Sequence, residues 1–380
     1  MLTVYLAVTI ISALLLPPLN LISFDNFLFP LAGIAVLQLS FRKQLFWISA
    51  AVIGMITLSS LLSNYVNNGL TANELIWSVR WVKLLTLGWT VHYVIKENGA
   101  FFKLFIVAGF LGMVIINALQ LMEVESIIDL YAVKQDATFS LTKNLLDGRM
   151  YGTVLNPNNN GLLLSLFAVY FLMSDLKWRH IYLIISSLLI LMTQSRTAFI
   201  ALIVVVGMLL LFRLWKKNKK QLLIFILGAA VLLFALVQLK FNNLSSLFDG
   251  TAFHSNSLNK RFEVIHNVIE LNRESMLLGQ GKLSNIPELV EGSIDNEYIY
   301  VYLQYGALGL LSLFAILIFF IRLSLKRNIN TGNLGFLVVM LICGLTNLSF
   351  SNLEIGAMFT ILFVGLLTSN SLEKNKIVNE

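Results

Sequence analysis

Charge is scarce in this chain. Only 12% of its 380 residues are Asp, Glu, Lys or Arg, about half the ~25% of a soluble domain. A water-covered globular surface is therefore excluded, and an integral membrane protein is expected. Cysteine is nearly absent. The single Cys343 lies in an apolar run, which rules out an intrachain disulfide and argues against a thiolate cluster or a cysteine nucleophile. Four histidines are present; His254 and His266 stand alone, and there is no Asp-x-Asp pair and no His-Glu-x-x-His, so no metal site and no cofactor is expected. Proline occurs five times, and the adjacent Pro17 and Pro18 are expected to bend the first apolar run. The first sixteen residues carry no basic n-region and no small-residue cleavage site, so no cleavable signal peptide is read. No soluble domain, repeat or low-complexity tract is read either.

Long apolar runs fill the rest. A span needs about 20 apolar residues, and twelve runs qualify or nearly so: 2–21, 24–41, 45–63, 75–95, 101–122, 159–174, 181–193, 198–214, 222–239, 298–323, 334–350 and 355–368. The chain reads as a single all-α polytopic membrane domain over 1–380. Its net charge of +7 does not imply nucleic acid, because Lys and Arg gather in alternate short loops. One set holds Arg42, Lys43, Lys96, Lys103, Lys177, Arg179, Arg213, Lys216, Lys217, Lys219, Lys220, Arg322, Lys326, Arg327, Lys374 and Lys376; the opposite short loops hold only Arg196. The positive-inside rule then puts both termini in the cytoplasm and two long loops, 123–157 and 240–295, outside.

The second long loop is the longest polar interruption. Phe262, Ile265, Val268 and Ile269 recur in it at helical spacing and predict a short amphipathic helix. Arg261 opens that helix, and Gly279-Gln280-Gly281 follows it. This glycine pair lacks the strand, spacing and Ser/Thr of a phosphate-binding P-loop.

The candidate residues lie on the expected outer side. Arg196, in the tight turn Thr193–Thr197, either snorkels to headgroups or offers a planar fork to a phosphate. Arg80 and Lys83, three apart on one helix face, stand inside the fourth run, where charge is expensive and faces a cavity or the bundle interior; they are read as candidate pyrophosphate ligands, with snorkelling to the outer interface as the alternative. Asn156, Pro157 and Asn158 precede the sixth run; a turn and helix cap accounts for them, and substrate binding is the alternative. Asp295 is read as the N-cap of the tenth run or as a general base, with Glu297 in the first turn as the other carboxylate.

Taken together and in order, four motifs resemble the bacterial O-antigen polymerase and O-antigen ligase family. They are Gly152-Thr153-Val154-Leu155-Asn156-Pro157-Asn158 with Gly161; Thr193-Gln194-Ser195-Arg196-Thr197-Ala198; Arg261-Phe262 through Gly279-Gln280-Gly281; and Asp295-Asn296-Glu297-Tyr298 with Gly306-Ala307-Leu308-Gly309. The resemblance implies a GT-C-type glycosyltransferase of the bacterial cytoplasmic membrane. Its donor and acceptor would be undecaprenyl-pyrophosphate-linked oligosaccharides, and a chain-length regulator protein could accompany it. It implies that Arg196 and Arg261 hold the pyrophosphate. In the ligase branch the position of Asp295 is a histidine followed by Asn; this chain keeps Asn296 but has Asp295, which favours the polymerase branch. Ligation to lipid or protein is the alternative within the family. A lipid-linked oligosaccharide flippase is the alternative outside it, but transporters show repeats and midplane charge, neither of which is read here.

Overall fold

The computed structural model describes residues 1–15, 24–40, 44–68, 80–132, 149–154, 156–217, 256–281, 294–326, 332–349 and 351–379. Among these every regular element is a helix: α1 (Leu2–Leu15), α2 (Phe24–Ser40), α3 (Gln44–Asn68), α4 (Arg80–Leu121), α5 (Glu125–Ala132), α6 (Pro157–Met173), α7 (Arg179–Thr193), α8 (Arg196–Lys217), α9 (Asn256–Leu271), α10 (Glu297–Lys326), α11 (Gly332–Gly344) and α12 (Leu353–Asn379). By length and composition α4 and the stretch Glu297–Arg322 of α10 can cross a membrane, and shorter apolar helices accompany them. The bend expected at Pro17-Pro18 and the ninth run, 222–239, lie outside the described residues.

Helix α4 is two arms. Asn98 leaves helical geometry (φ −151°, ψ 78°), and its Oδ1 accepts the Phe101 N–H at 3.0 Å, capping the second arm. The first arm runs parallel to α12: Arg80 reaches Ser351 O, Gly88 faces Thr360 and Val364, and His92 Nδ1 stands 3.0 Å from Thr368 Oγ1. The second arm turns back past Phe102 against Gly365 and Gly109 against Ile10 and Leu14. It finishes with Asn117 and Gln120 bonded to Asn160 and Gly152 O. Arg80 and Leu121 therefore sit at the same end of the bundle. At the opposite end Lys103 pairs with Asp175 at 2.6 Å.

Helix α6 is the hub. Thirteen of its seventeen residues are buried, the pattern of a helix apolar all round and surrounded on every side. Phe110 of α4 and Phe167, Phe171 and Tyr182 interlock beside it. Its N-terminus consequently lies at the centre of the end where Arg80 stands.

Two runs differ from the sequence reading. The tenth, 298–323, is interrupted at Gly306 (φ 62°, ψ −161°); hydropathy reports apolarity and not dihedral angle, so the break is invisible to it. The eleventh, 334–350, stays helical only to Gly344; of the residues between it and α12 the described ones, 345–349, 351 and 352, are not helical.

Candidate active site at one end of the bundle

The site is built outward from the start of α6. Asn156 caps the helix as the sequence predicts: its Oδ1 accepts the N–H groups of Asn158 (2.8 Å) and Asn159 (3.4 Å), with Pro157 in the first turn. One turn on, a Cβ on Gly161 would stand 2.8 Å from Ala198 Cβ and 2.9 Å from Ser195 Cβ. Only glycine lets the turn between α7 and α8 lie flush on α6. Gln194, left-handed at φ 51°, reverses the chain there, and Arg196 begins α8, half-buried.

A second arginine, not singled out from the sequence, meets the same turn. Arg149 Nη2 donates to Asn158 Oδ1 at 3.2 Å and its Nε points at Thr193 O at 3.4 Å. Arg149 and Arg196 thus flank the Thr193–Ser195 turn, with Asn158 beside Arg149. The signal that marked Arg196, a lone basic residue in a short outer loop, does not reach Arg149, which shares the long loop 123–157 with Lys134 and Lys143.

The connection 345–351 is the other missed component, and it ties the site together. Leu345 O accepts from Asn296 Nδ2 at 3.0 Å. Thr346 and Thr197 share a 2.6 Å hydroxyl bond. Asn347 Nδ2 reaches Asn158 O at 3.5 Å. The Ser351 hydroxyl donates to Glu297 Oε1 at 2.6 Å and its N–H to Oε2 at 3.1 Å, while Ser351 O accepts from Arg80 Nη1 at 3.3 Å.

Arg80, Lys83 and Glu297 accordingly lie in the interior, at 6%, 7% and 0% exposure. Arg80 Nη2 donates to Tyr305 Oη at 2.6 Å, and its guanidinium carbon sits 5.3 Å from the Trp81 ring centre. The parallel register of α4 and α12 puts Lys83 level with the first turn of α12, where Glu354 stands. Burial of both charge signs together is the arrangement interior ions require.

Asp295 is exposed, and it is not the helix cap. Asn296 is: its Oδ1 accepts the N–H groups of Tyr298 (3.0 Å) and Ile299 (3.1 Å). Adjacent Asp and Asn are near-equal caps by preference, and the tie between Asn296 and Leu345 decides between them. Arg261 lies on α9, the predicted amphipathic helix. Its packed face is Val264 and Val268, set against Ile294, Tyr300, Leu303 and Leu348, whereas Ile269 is exposed. Burial pushes the phenols of Tyr131 and Tyr151 up to about 12. Both are neutral near pH 7, and neither serves there as a base.

One end of an all-helical membrane bundle thus presents two arginines, asparagine amides and an exposed carboxylate, drawn from segments far apart in sequence. Residues 181–314 match the family model described as O-antigen ligase. That stretch is similar to the family over α7, α8, α9 and the first half of α10, and it contains Arg196, Arg261, Asp295 and Glu297. None of the curated proteins matches the chain. The family match and the apolar helices support a membrane enzyme of the O-antigen ligase or polymerase type.

Proposed function

We propose that the protein polymerises undecaprenyl-pyrophosphate-linked oligosaccharide repeat units at the outer face of the bacterial cytoplasmic membrane, with both termini in the cytoplasm. The observation that carries this reading is the convergence of Arg149, Asn158, Arg196 and Asp295 at one end of the bundle, with the family match covering Arg196 and Asp295. Arg196 and Arg149, with Arg261 from α9, grip the donor pyrophosphate and stabilise the charge that develops as the anomeric C–O bond breaks. A hydroxyl of the acceptor repeat unit attacks that carbon from the opposite side, with inversion, and its proton passes to Asp295. Asn156 and Asn158 line the donor side. Glu297 and Arg80 lie beneath and hold Ser351 in place, and Lys83 is buried one turn along from Arg80. Two arginines or more at the leaving group make a divalent metal dispensable, so activity of the purified enzyme should persist in excess chelator; loss restored by Mg²⁺ would overturn that part.

Deleting the gene and resolving surface polysaccharide on a gel tests the reaction class. Single-repeat chains in place of a ladder support the polymerase. Free polymer that never reaches its anchor would instead favour ligation, the reading closest to an O-antigen ligase. Accumulation of lipid-linked units on the cytoplasmic face would point to a flippase.

A further inference from the structure

The break in α10 does more than bend a helix. Interrupting α10 at Gly306 strips partners from carbonyls in the last turn before the break and from N–H groups just after it. In a membrane protein such groups must be satisfied by protein. Here they are met largely by the segment that follows α9. Leu303 O accepts from Gln280 N at 2.7 Å and Gln304 O from Gly281 N at 3.0 Å; Ala307 N donates to Met276 O at 2.8 Å and Leu308 N to Leu277 O at 3.2 Å. Asn272, wholly buried, donates through Nδ2 to Tyr302 O at 2.7 Å. On the other side α3 contributes Ser63 Oγ to Gln304 O (2.7 Å) and Ser59 Oγ to Tyr305 O (3.3 Å).

The clasp demands two glycines. Gly279 and Gly306 both have positive φ, at 71° and 62°. A Cβ on Gly279 would stand 2.5 Å from Gly306 N and 2.6 Å from Gln304 C, and one on Gly306 would collide with Leu277 O. Two backbones cross here with no space for a side chain on either. Directly beyond the crossing Val268 of α9 is buried among Ile294, Tyr300 and Leu303, a small apolar core separate from that of the bundle.

We infer that α9, the segment Asn272–Gly281 and residues 294–305 form one rigid unit, fastened at the Gly279–Gly306 crossing, and that this unit fixes the spacing between Arg261 on α9 and Asp295 ahead of α10. Asn272, Gly279 and Gly306 are thereby positioning residues: they touch neither donor nor acceptor and act through the two groups they hold. The inference rests on the transferase reading only for the roles of Arg261 and Asp295; the rigid unit stands apart from it.

Two variants open the clasp without altering either reacting group. Gly279→Ala introduces the colliding Cβ. Ala307→Pro removes the N–H that donates to Met276 O, at a position in the first turn of the second half of α10 where proline is tolerated by the helix itself. Amide hydrogen exchange of the detergent-purified full chain is read first. In the wild type the amides of Gln280, Gly281, Ala307 and Leu308 are expected to be protected; in either variant protection should fall in 276–281 and 303–308 together while α6 stays protected. Loss confined to one of the two segments overturns the rigid unit. Steady-state transfer on lipid-linked repeat units is read second. Displacement of a reacting group by about 1 Å costs on the order of a hundredfold in rate, so kcat should fall about 100-fold with KM nearly unchanged. Coupled deprotection with wild-type kcat overturns the positioning role and leaves the transferase reading intact. A wild type inactive on these substrates overturns the transferase reading while the exchange data still decide the rigid unit. Global deprotection of Gly279→Ala would mean misfolding, and Asn272→Ala then takes its place in both measurements.

Discussion

Arg149 and Arg196 approach the same turn from two different segments, and a guanidinium differs from an ammonium in its planar fork. Arg196→Lys should therefore lose nearly as much activity as Arg196→Ala, on the order of a hundredfold in polymerisation rate, and Arg149→Lys should behave alike. Polymer of normal length from either lysine variant would reduce that residue to a point charge. Asp295 and Asn296 separate more cleanly. Asn296 holds two helix N–H groups, so Asn296→Ala should lower stability by about 1 kcal/mol, read from thermal unfolding in detergent. Asp295 is exposed and stands one residue outside the cap, and Asp295→Asn keeps its size and one carbonyl oxygen, so stability should change by no more than about 0.5 kcal/mol while polymerisation collapses. A full ladder from Asp295→Asn would remove it as the base.

At the scale of elements, the connection 345–351 joins α6, α8, α10 and α4 through short polar contacts. Ser351 is its anchor: both its hydroxyl and its N–H serve the carboxylate of Glu297. Ser351→Ala leaves a buried carboxylate oxygen short of a donor and should cost about 1–3 kcal/mol, with a matching drop in the temperature at which the purified protein loses activity. This connection also marks where sequence reading stops. Long apolar helices announce themselves through hydropathy, and Asn156-Pro157 announces a cap because cap chemistry is local. Thr346, Asn347 and Ser351 carry no charge and follow an apolar helix, so they read as its tail. Their importance lies in partners up to 271 positions away, which no window along the chain contains. Gly306 was legible as part of a motif, yet not as a break, because the residues it accommodates belong to another segment. Glu297 and Arg80 were recognised as unusual charges, but whether such a charge faces substrate or interior depends on tertiary packing alone.

For the whole molecule, the alternation of Lys and Arg predicts that the site end faces outward. Reporter tags at Lys217 and at the C-terminus should read cytoplasmic, and tags near Lys134 and Asn256 should read external. A cytoplasmic signal near Asn256 would invert the bundle and place the arginines on the wrong side for a donor that is already outward-facing.

Because Thr346, Asn347 and Ser351 supply the links between Asn158, Thr197 and Glu297, the ribosome completes this site only after residue 351 has been made. Asn158 precedes Asn347 by 189 residues, about 10 to 40 s of synthesis at bacterial and eukaryotic elongation rates of roughly 5–20 residues per second. Throughout that interval the nascent chain carries Arg149 and Arg196 without the contacts from Thr346 and Asn347 that fix their neighbours Thr197 and Asn158. A thiol reagent should report this: Asn158→Cys should react rapidly in chains stalled before residue 332 and slowly once α11 and α12 have inserted. Equal reactivity at both stages would mean that the outer end assembles before its last two helices arrive. Truncations ahead of residue 345 should then behave as lesions of the candidate site, despite lying far along the chain from the arginines.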